Sequence, residues 1–189
     1  VAFCLSASVE GRSLLAHDHH RLLTMIESAT LNTVMAEGLY KGTSVAYALS
    51  VTADGRSLLT HDNYKLLKFI DSATLNAVIE DGPDKGTSVA YALSITAEGR
   101  SLLAHDNYKL LKFIDSATLN AVLEGTSVAY ALSITPEGCS LLAHENYRLL
   151  TMIESATLNG VIKEGQYKGV SVAFCLSASV EGRSLLAHD

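Results

Sequence analysis

Tryptophan is absent, and the 189-residue chain holds only two prolines, three methionines and three cysteines. Cys4, Cys139 and Cys175 are an odd, unevenly spaced set. That argues against a disulfide framework or a cysteine-based zinc site, and each reads as a small buried residue. No apolar run approaches the ~20 residues of a membrane-spanning helix, so no membrane partner is expected. A charged, then apolar, then small-residue leader is also missing. The chain opens at Val1 inside a repeated unit, as a fragment, a processed product or an engineered boundary would. With 14 basic against 20 acidic residues the net charge is −6, and no basic stripe forms, so nucleic acid is not an expected partner. There is neither a Gly-rich phosphate loop nor a Gly-x-Ser-x-Gly elbow. What remains is a globular composition, 48% apolar and 18% charged. It leaves the cellular compartment open.

What the chain has in abundance is repetition. A segment of about 43 residues recurs as residues 1–43, 44–87, 88–126 and 127–170, and a partial copy fills 171–189. Val172–Asp189 is identical to Val1–Asp18. Such a period points to an array treated as a single repeat domain, 1–189, in which each unit buries its apolar face on its neighbours. Near-identity of the copies implies recent or deliberate multiplication of one unit, and a consensus-like engineered array is one reading of it.

Within one copy, Val45, Tyr47, Leu49 and Val51 alternate with Ala46, Ala48 and Ser50, the period of a strand. Thr52-Ala53-Asp54-Gly55 has hairpin-turn chemistry, and Thr135-Pro136-Glu137-Gly138 stands at the same place in another copy. Arg56–Thr60 then reads as a second strand, His61-Asp62-Asn63 as a turn and Tyr64–Ile70 as a third strand. Asp71–Thr74 turns again before a fourth strand at Leu75–Ile79. Four short hairpin-linked strands make one blade of a β-propeller. The stretch ADGRSLLTHDNYKLLKFID resembles a WD-repeat core, and its continuation Ser-Ala-Thr-Leu-Asn is similar to the YVTN-type propeller repeat. The resemblance implies an all-β propeller of four-stranded antiparallel blades and says little of activity. The alternative is a strand–strand–helix array, with Tyr64–Glu80 as an amphipathic helix.

About four and a half blades do not close a ring, so further copies or a second chain are expected to complete it, making a homo-oligomer possible. The expected function is a non-enzymatic scaffold for protein–protein interaction or self-assembly, with no cofactor. Its alternative is a multivalent carbohydrate or small-ligand binder with one weak site per blade. Candidate rim residues recur once per copy: His17 and Asp18; His61, Asp62 and Tyr64; His105, Asp106 and Tyr108; His144, Glu145 and Tyr147. A hairpin rim would display these imidazoles, carboxylates and phenols together. The partial copy adds His188-Asp189. His17, His19 and His20 form the best local metal candidate, but one His–carboxylate pair per blade is too sparse for shared coordination, and no metal site is assigned. The Gly-Arg-Ser arginines (Arg12, Arg56, Arg100, Arg183) read as a solvated face.

Overall fold

The structure, a computed structural model, describes residues 1–17, 20–38, 40–82, 84–122, 126–163 and 167–187. Among them the regular elements are helices, and the β features are isolated bridge residues, such as the pair Val34 and Ser44. The all-β propeller, its likeness to WD and YVTN blades, and the scaffold function built on blades are therefore overturned. So is the strand–strand–helix alternative.

Two compact units divide the chain, Val1–Leu93 and Ser94–Asp189. The N-terminal unit holds α1 (Ala2–Ala7), α2 (Val9–Ala16), α3 (Arg21–Thr24), α4 (Ser28–Asn32), α5 (Val45–Ser50), α6 (Ala53–Phe69) and α7 (Ser72–Asn76). Helix α8 (Val89–Ser94) ends at the boundary. The C-terminal unit holds α9 (Ala97–Phe113), α10 (Ser116–Asn120), α11 (Val128–Ser133), α12 (Pro136–Thr151), α13 (Ser155–Asn159), α14 (Val172–Ala178) and α15 (Val180–Leu186).

The expected first strand is a short helix because it is buried all round. Every residue of α5 and of α11 is buried, so alternation of large and small side chains carries no information about a solvent face. Ser44 Oγ accepts from Tyr47 N at 3.2 Å and Ser127 Oγ from Tyr130 N at 3.1 Å, capping the two helices. The expected hairpin turn is a second cap. Thr52, Thr96 and Thr135 each accept, at 3.1 Å, from the backbone N of Gly55, Gly99 and Gly138. Pro136 fits the first turn of α12, where no N–H is needed. The glycine is a packing requirement, since a Cβ at Gly55 would overlap the Leu49 carbonyl and one at Gly138 the Leu132 carbonyl. The third predicted turn is again a cap: Asp71 Oδ1 accepts from Thr74 N, and Asp115 Oδ1 from Thr118 N, both at 2.7 Å. Turn and N-cap use the same residue types, Ser, Thr and Asp, for the same reason.

After the Ser-Ala-Thr-Leu-Asn helix of the first, second and fourth copies the chain runs extended and doubles back. Met35 N donates to Thr43 O at 2.8 Å, Ile79 N to Thr87 O at 2.9 Å and Ile162 N to Val170 O at 2.9 Å. Gly42, Gly86 and Gly169 supply the left-handed residue each link requires.

Within each unit successive copies stack in register. In the N-terminal unit α1 packs on α5 and α2 on α6; in the C-terminal unit α11 packs on α14, and α12 on both α9 and α15. Leucines fill the seams: Leu15, Leu31, Leu49, Leu59 and Leu75 in the first unit, Leu103, Leu119, Leu132, Leu142 and Leu176 in the second, are essentially inaccessible. An asparagine bracket ties one copy to the next. Asn32 Nδ2 donates to Phe69 O at 2.8 Å while its Oδ1 accepts from Asp71 N at 3.4 Å. Asn120 repeats this on Met152 O and Glu154 N, each at 2.9 Å. The arginines expected at the surface are mostly inside. Arg12, Arg56 and Arg100 are buried, their Nη1 donating to the carbonyls of Ser6, Ser50 and Ser94 at 2.9 to 3.0 Å. Their long stems add apolar contact and the guanidinium satisfies a helix-end carbonyl, which explains how a charge is tolerated there. Arg183 makes the same bond to Ser177 O but is exposed.

Candidate functional site

The candidate rim residues fall where helices α6, α9 and α12 break. His61 is extended, and then Asp62, Asn63 and Tyr64 all take left-handed φ of 49°, 54° and 61°. Asp106, Asn107 and Tyr108 follow with 51°, 56° and 61°, and Glu145, Asn146 and Tyr147 with 50°, 54° and 62°. Three consecutive left-handed residues, none of them glycine, cost roughly 1–2 kcal/mol each. Asp and Asn tolerate this region because their short polar side chains bond locally; glutamate and tyrosine do so far less readily. The same strained turn is therefore built three times from nearly the same four residues. In the first copy His17 ends α2 in an extended conformation and His20 is left-handed, with φ 62°. Asp18 and His19, like His188 and Asp189 of the partial copy, lie outside the described residues.

Stacking explains the rings. In the N-terminal unit the imidazoles of His20 and His61 lie parallel, 3.6 Å between centroids. In the C-terminal unit the Tyr108 ring stacks on His144 at 3.5 Å. The ring that ends one turn thus covers the histidine that opens the next, a contact worth about 0.5–1.5 kcal/mol and an offset to the backbone cost. Tyr64 and Tyr147 occupy the equivalent half-buried position, as does His105 with respect to histidine. These rings are half-buried, and what each turn presents outward is the carboxylate and the amide: Asp62 and Asn63, Asp106 and Asn107, Glu145 and Asn146 are all exposed.

Basic side chains flank these carboxylates. Lys112 Nζ lies 2.9 Å from Glu145 Oε1, and this hydrogen bond holds the glutamate below its usual range. Both groups are exposed, so the pair adds little to stability. A shallow, open surface dip lies beside it, lined by Leu111, Lys112, His144, Glu145, Arg148 and Leu149. Lys65 Nζ donates to Thr24 O at 2.9 Å, and Arg148 Nη2 to Ile114 O at 3.1 Å, so these two basic residues each clamp the preceding copy of their own unit. Among the described residues no three His, Cys, Asp or Glu converge on a common metal position.

Two features were not identified as sites from sequence. Asn32 and Asn120 of Ser-Ala-Thr-Leu-Asn bracket adjacent copies, and the presence of this Asn in all four full copies (Asn32, Asn76, Asn120, Asn159) was the available signal. Cys139 stands where the three other full copies and the partial copy have arginine. It is buried, its Sγ 3.6 Å from Ser133 O and 4.0 Å from Ser179 Oγ, and burial pushes its thiol up, as it does that of Cys175. Cys4 is exposed. No protein-family model matches the chain, and the searches of curated proteins and of solved structures give no match either.

Proposed function

We propose that the chain is a non-enzymatic helical-repeat interaction module whose recurring left-handed turns each meet basic side chains of a protein partner. The observation that carries this reading is the recurrence of one strained conformation with its acidic and amide groups outward at Asp62-Asn63, Asp106-Asn107 and Glu145-Asn146. Backbone strain of this kind persists where surrounding structure enforces it, and it concentrates at ligand clamps and active sites. Catalysis needs different groups converging on one reacting atom; repetition of one exposed group suits a partner that makes the same contact several times. The net charge of −6 favours basic partners over acidic ones.

The test is calorimetric titration of a lysine- and arginine-rich peptide into the protein, with a glutamine-substituted peptide as control. The comparison protein carries Asp62→Asn, Asp106→Asn and Glu145→Asn. Asparagine keeps the left-handed preference while removing the charge, so the turns survive. At least a tenfold loss of affinity in the variant is expected, with no binding of the neutral peptide. Equal binding by both proteins, or none by the native one, contradicts the reading.

A further inference from the structure

Aspartate followed by glycine occurs twice in the chain, at Asp54-Gly55 and at Asp81-Gly82. The pair is chemically labile, because a glycine nitrogen meets no side-chain obstruction as it closes on the neighbouring carboxyl carbon. The fold treats the two occurrences oppositely. Asp54-Gly55 lies in the first turn of α6, where the Gly55 nitrogen donates to Thr52 Oγ1 at 3.1 Å. Gly55 is buried against the Leu49 carbonyl, so its nitrogen is engaged by the cap and its backbone is held helical.

Asp81-Gly82 lies in the link that ends the second copy, and both residues are exposed. Gly82 is left-handed, φ 89°, and its nitrogen donates to the carboxylate beside it, 2.8 Å from Asp81 Oδ1. That contact sets the nitrogen against the carboxyl carbon it would attack, a near-attack arrangement. The corresponding pair in the first copy is Glu37-Gly38, whose longer side chain would have to close a six-membered ring. Asn159-Gly160 is the amide version, but Asn159 Nδ2 is drawn back along α13 to Ser155 O at 3.0 Å and Ser155 Oγ at 3.3 Å.

We infer that Asp81 is a site of spontaneous isomerisation, converting through a cyclic imide to isoaspartate. The Gly82 nitrogen gives up its proton to solvent and bonds to Asp81 Cγ. The bond from Cγ to the protonated carboxyl oxygen breaks, and that oxygen leaves as water. Water then adds to the imide. Attack at Cγ restores aspartate; attack at the main-chain carbonyl carbon breaks the original peptide bond and leaves Gly82 joined through Cγ. Water lost is balanced by water gained, so mass is unchanged and nothing is oxidised or reduced. The main chain gains a methylene inside a tied link, in which Ile79 N donates to Thr87 O at 2.9 Å and Lys85 N to Gly82 O at 3.2 Å. Thr87 Oγ1 also lies 2.7 Å from the Tyr47 hydroxyl, so the added length bears on that contact too. The new α-carboxylate, exposed on the link, suits an enzyme that methylates isoaspartate from S-adenosylmethionine. None of the turn residues in the basic-partner reading takes part.

The experiment is ageing of the full chain in heavy-oxygen water at neutral pH, followed by peptide mapping. Isoaspartate is read with an isoaspartate-specific carboxyl methyltransferase and labelled S-adenosylmethionine. In the folded protein the Asp81 peptide should gain isoaspartate and heavy oxygen about tenfold faster than the Asp54 peptide. In urea the two rates should converge, because the protection of Asp54 is conformational. Asp81→Glu, verified as folded by circular dichroism, should abolish the signal in its peptide. Any product at Asn159 falls in a different peptide and differs in mass, since deamidation replaces an amide with a carboxyl group. Equal rates at Asp54 and Asp81 in the folded protein overturn the inference. An Asp81 peptide that stays unmodified until urea is added overturns it too, because the fold would then protect that site.

Discussion

Val1–His17 and Val172–Ala187 share one sequence except for where the described residues stop, yet they bury opposite leucines. In the first segment Leu15 is buried and Leu14 is exposed; in the second Leu185 is buried and Leu186 is exposed. Both form the same pair of helices, and Ser8 and Ser179 cap α2 and α15 alike, accepting from Gly11 N and Gly182 N. Local structure is thus written in the segment, whereas burial is decided by which side has a neighbour. The first segment has the next copy on one side, and the second has the preceding copy on the other.

Truncating the leucines is the strongest way to break this comparison. Leu15→Ala should cost about 2–5 kcal/mol, while Leu14→Ala stays within about 0.5 kcal/mol. In the C-terminal segment the order should reverse, with Leu185→Ala the damaging change. Urea midpoints of the four variants at low protein concentration check this, and equal losses at Leu14 and Leu15 would contradict it. A smaller effect is expected at the brackets. Asn120→Ala removes two bonds across the seam of the C-terminal unit and should cost about 1–3 kcal/mol, whereas Asn159→Ala should leave the monomer's midpoint unchanged.

The alkaline limb offers a third test. Burial pushes the Tyr47 phenol from 10.0 up to about 12. The folded state disfavours the phenolate, so this contribution is complete below pH 10 and is lost as pH rises towards 12. Tyr47→Phe should flatten the fall in stability between those values; an unchanged alkaline limb would show the phenol to be solvated. The smallest effect belongs to the exposed Lys112–Glu145 pair. Lys112→Ala should change stability by less than about 0.5 kcal/mol, and salt should erase even that.

How much of this was legible in the sequence differs between levels. The repeat, its boundaries and the recurrence of His61-Asp62-Asn63-Tyr64 can be seen directly, but the helices could not be told from strands. Ser44–Val51 is buried on every side, so neither a period of two nor one of 3.6 has a polar face to show itself against. Thr52–Gly55 and Asp71–Thr74 carry residues that serve hairpin turns and helix caps equally. Each helix is also short, four to eight residues between breaks, below the length at which helical periodicity separates from strand alternation. The arginines misled for a different reason: a charged residue following a turn usually faces water, and only the close approach enforced by Gly55 against Leu49 brings Arg56 to the Ser50 carbonyl. Nothing in the sequence signals three left-handed residues in succession, because Asp-Asn favours an isolated one and Tyr none.

Thiol labelling of the native protein at low concentration tests the contrast between the two identical segments most directly. Cys4 and Cys175 occupy the same position in the same sequence, one exposed and the other half-buried, with Cys139 buried between copies. Single serine variants assign each phase of reaction with an aromatic disulfide reagent. The expected result is a fast phase that vanishes in Cys4→Ser, a slower one that vanishes in Cys175→Ser, and the slowest at Cys139. Equal rates at Cys4 and Cys175 would mean that the two segments share one environment, and would contradict the account of one sequence buried on opposite sides.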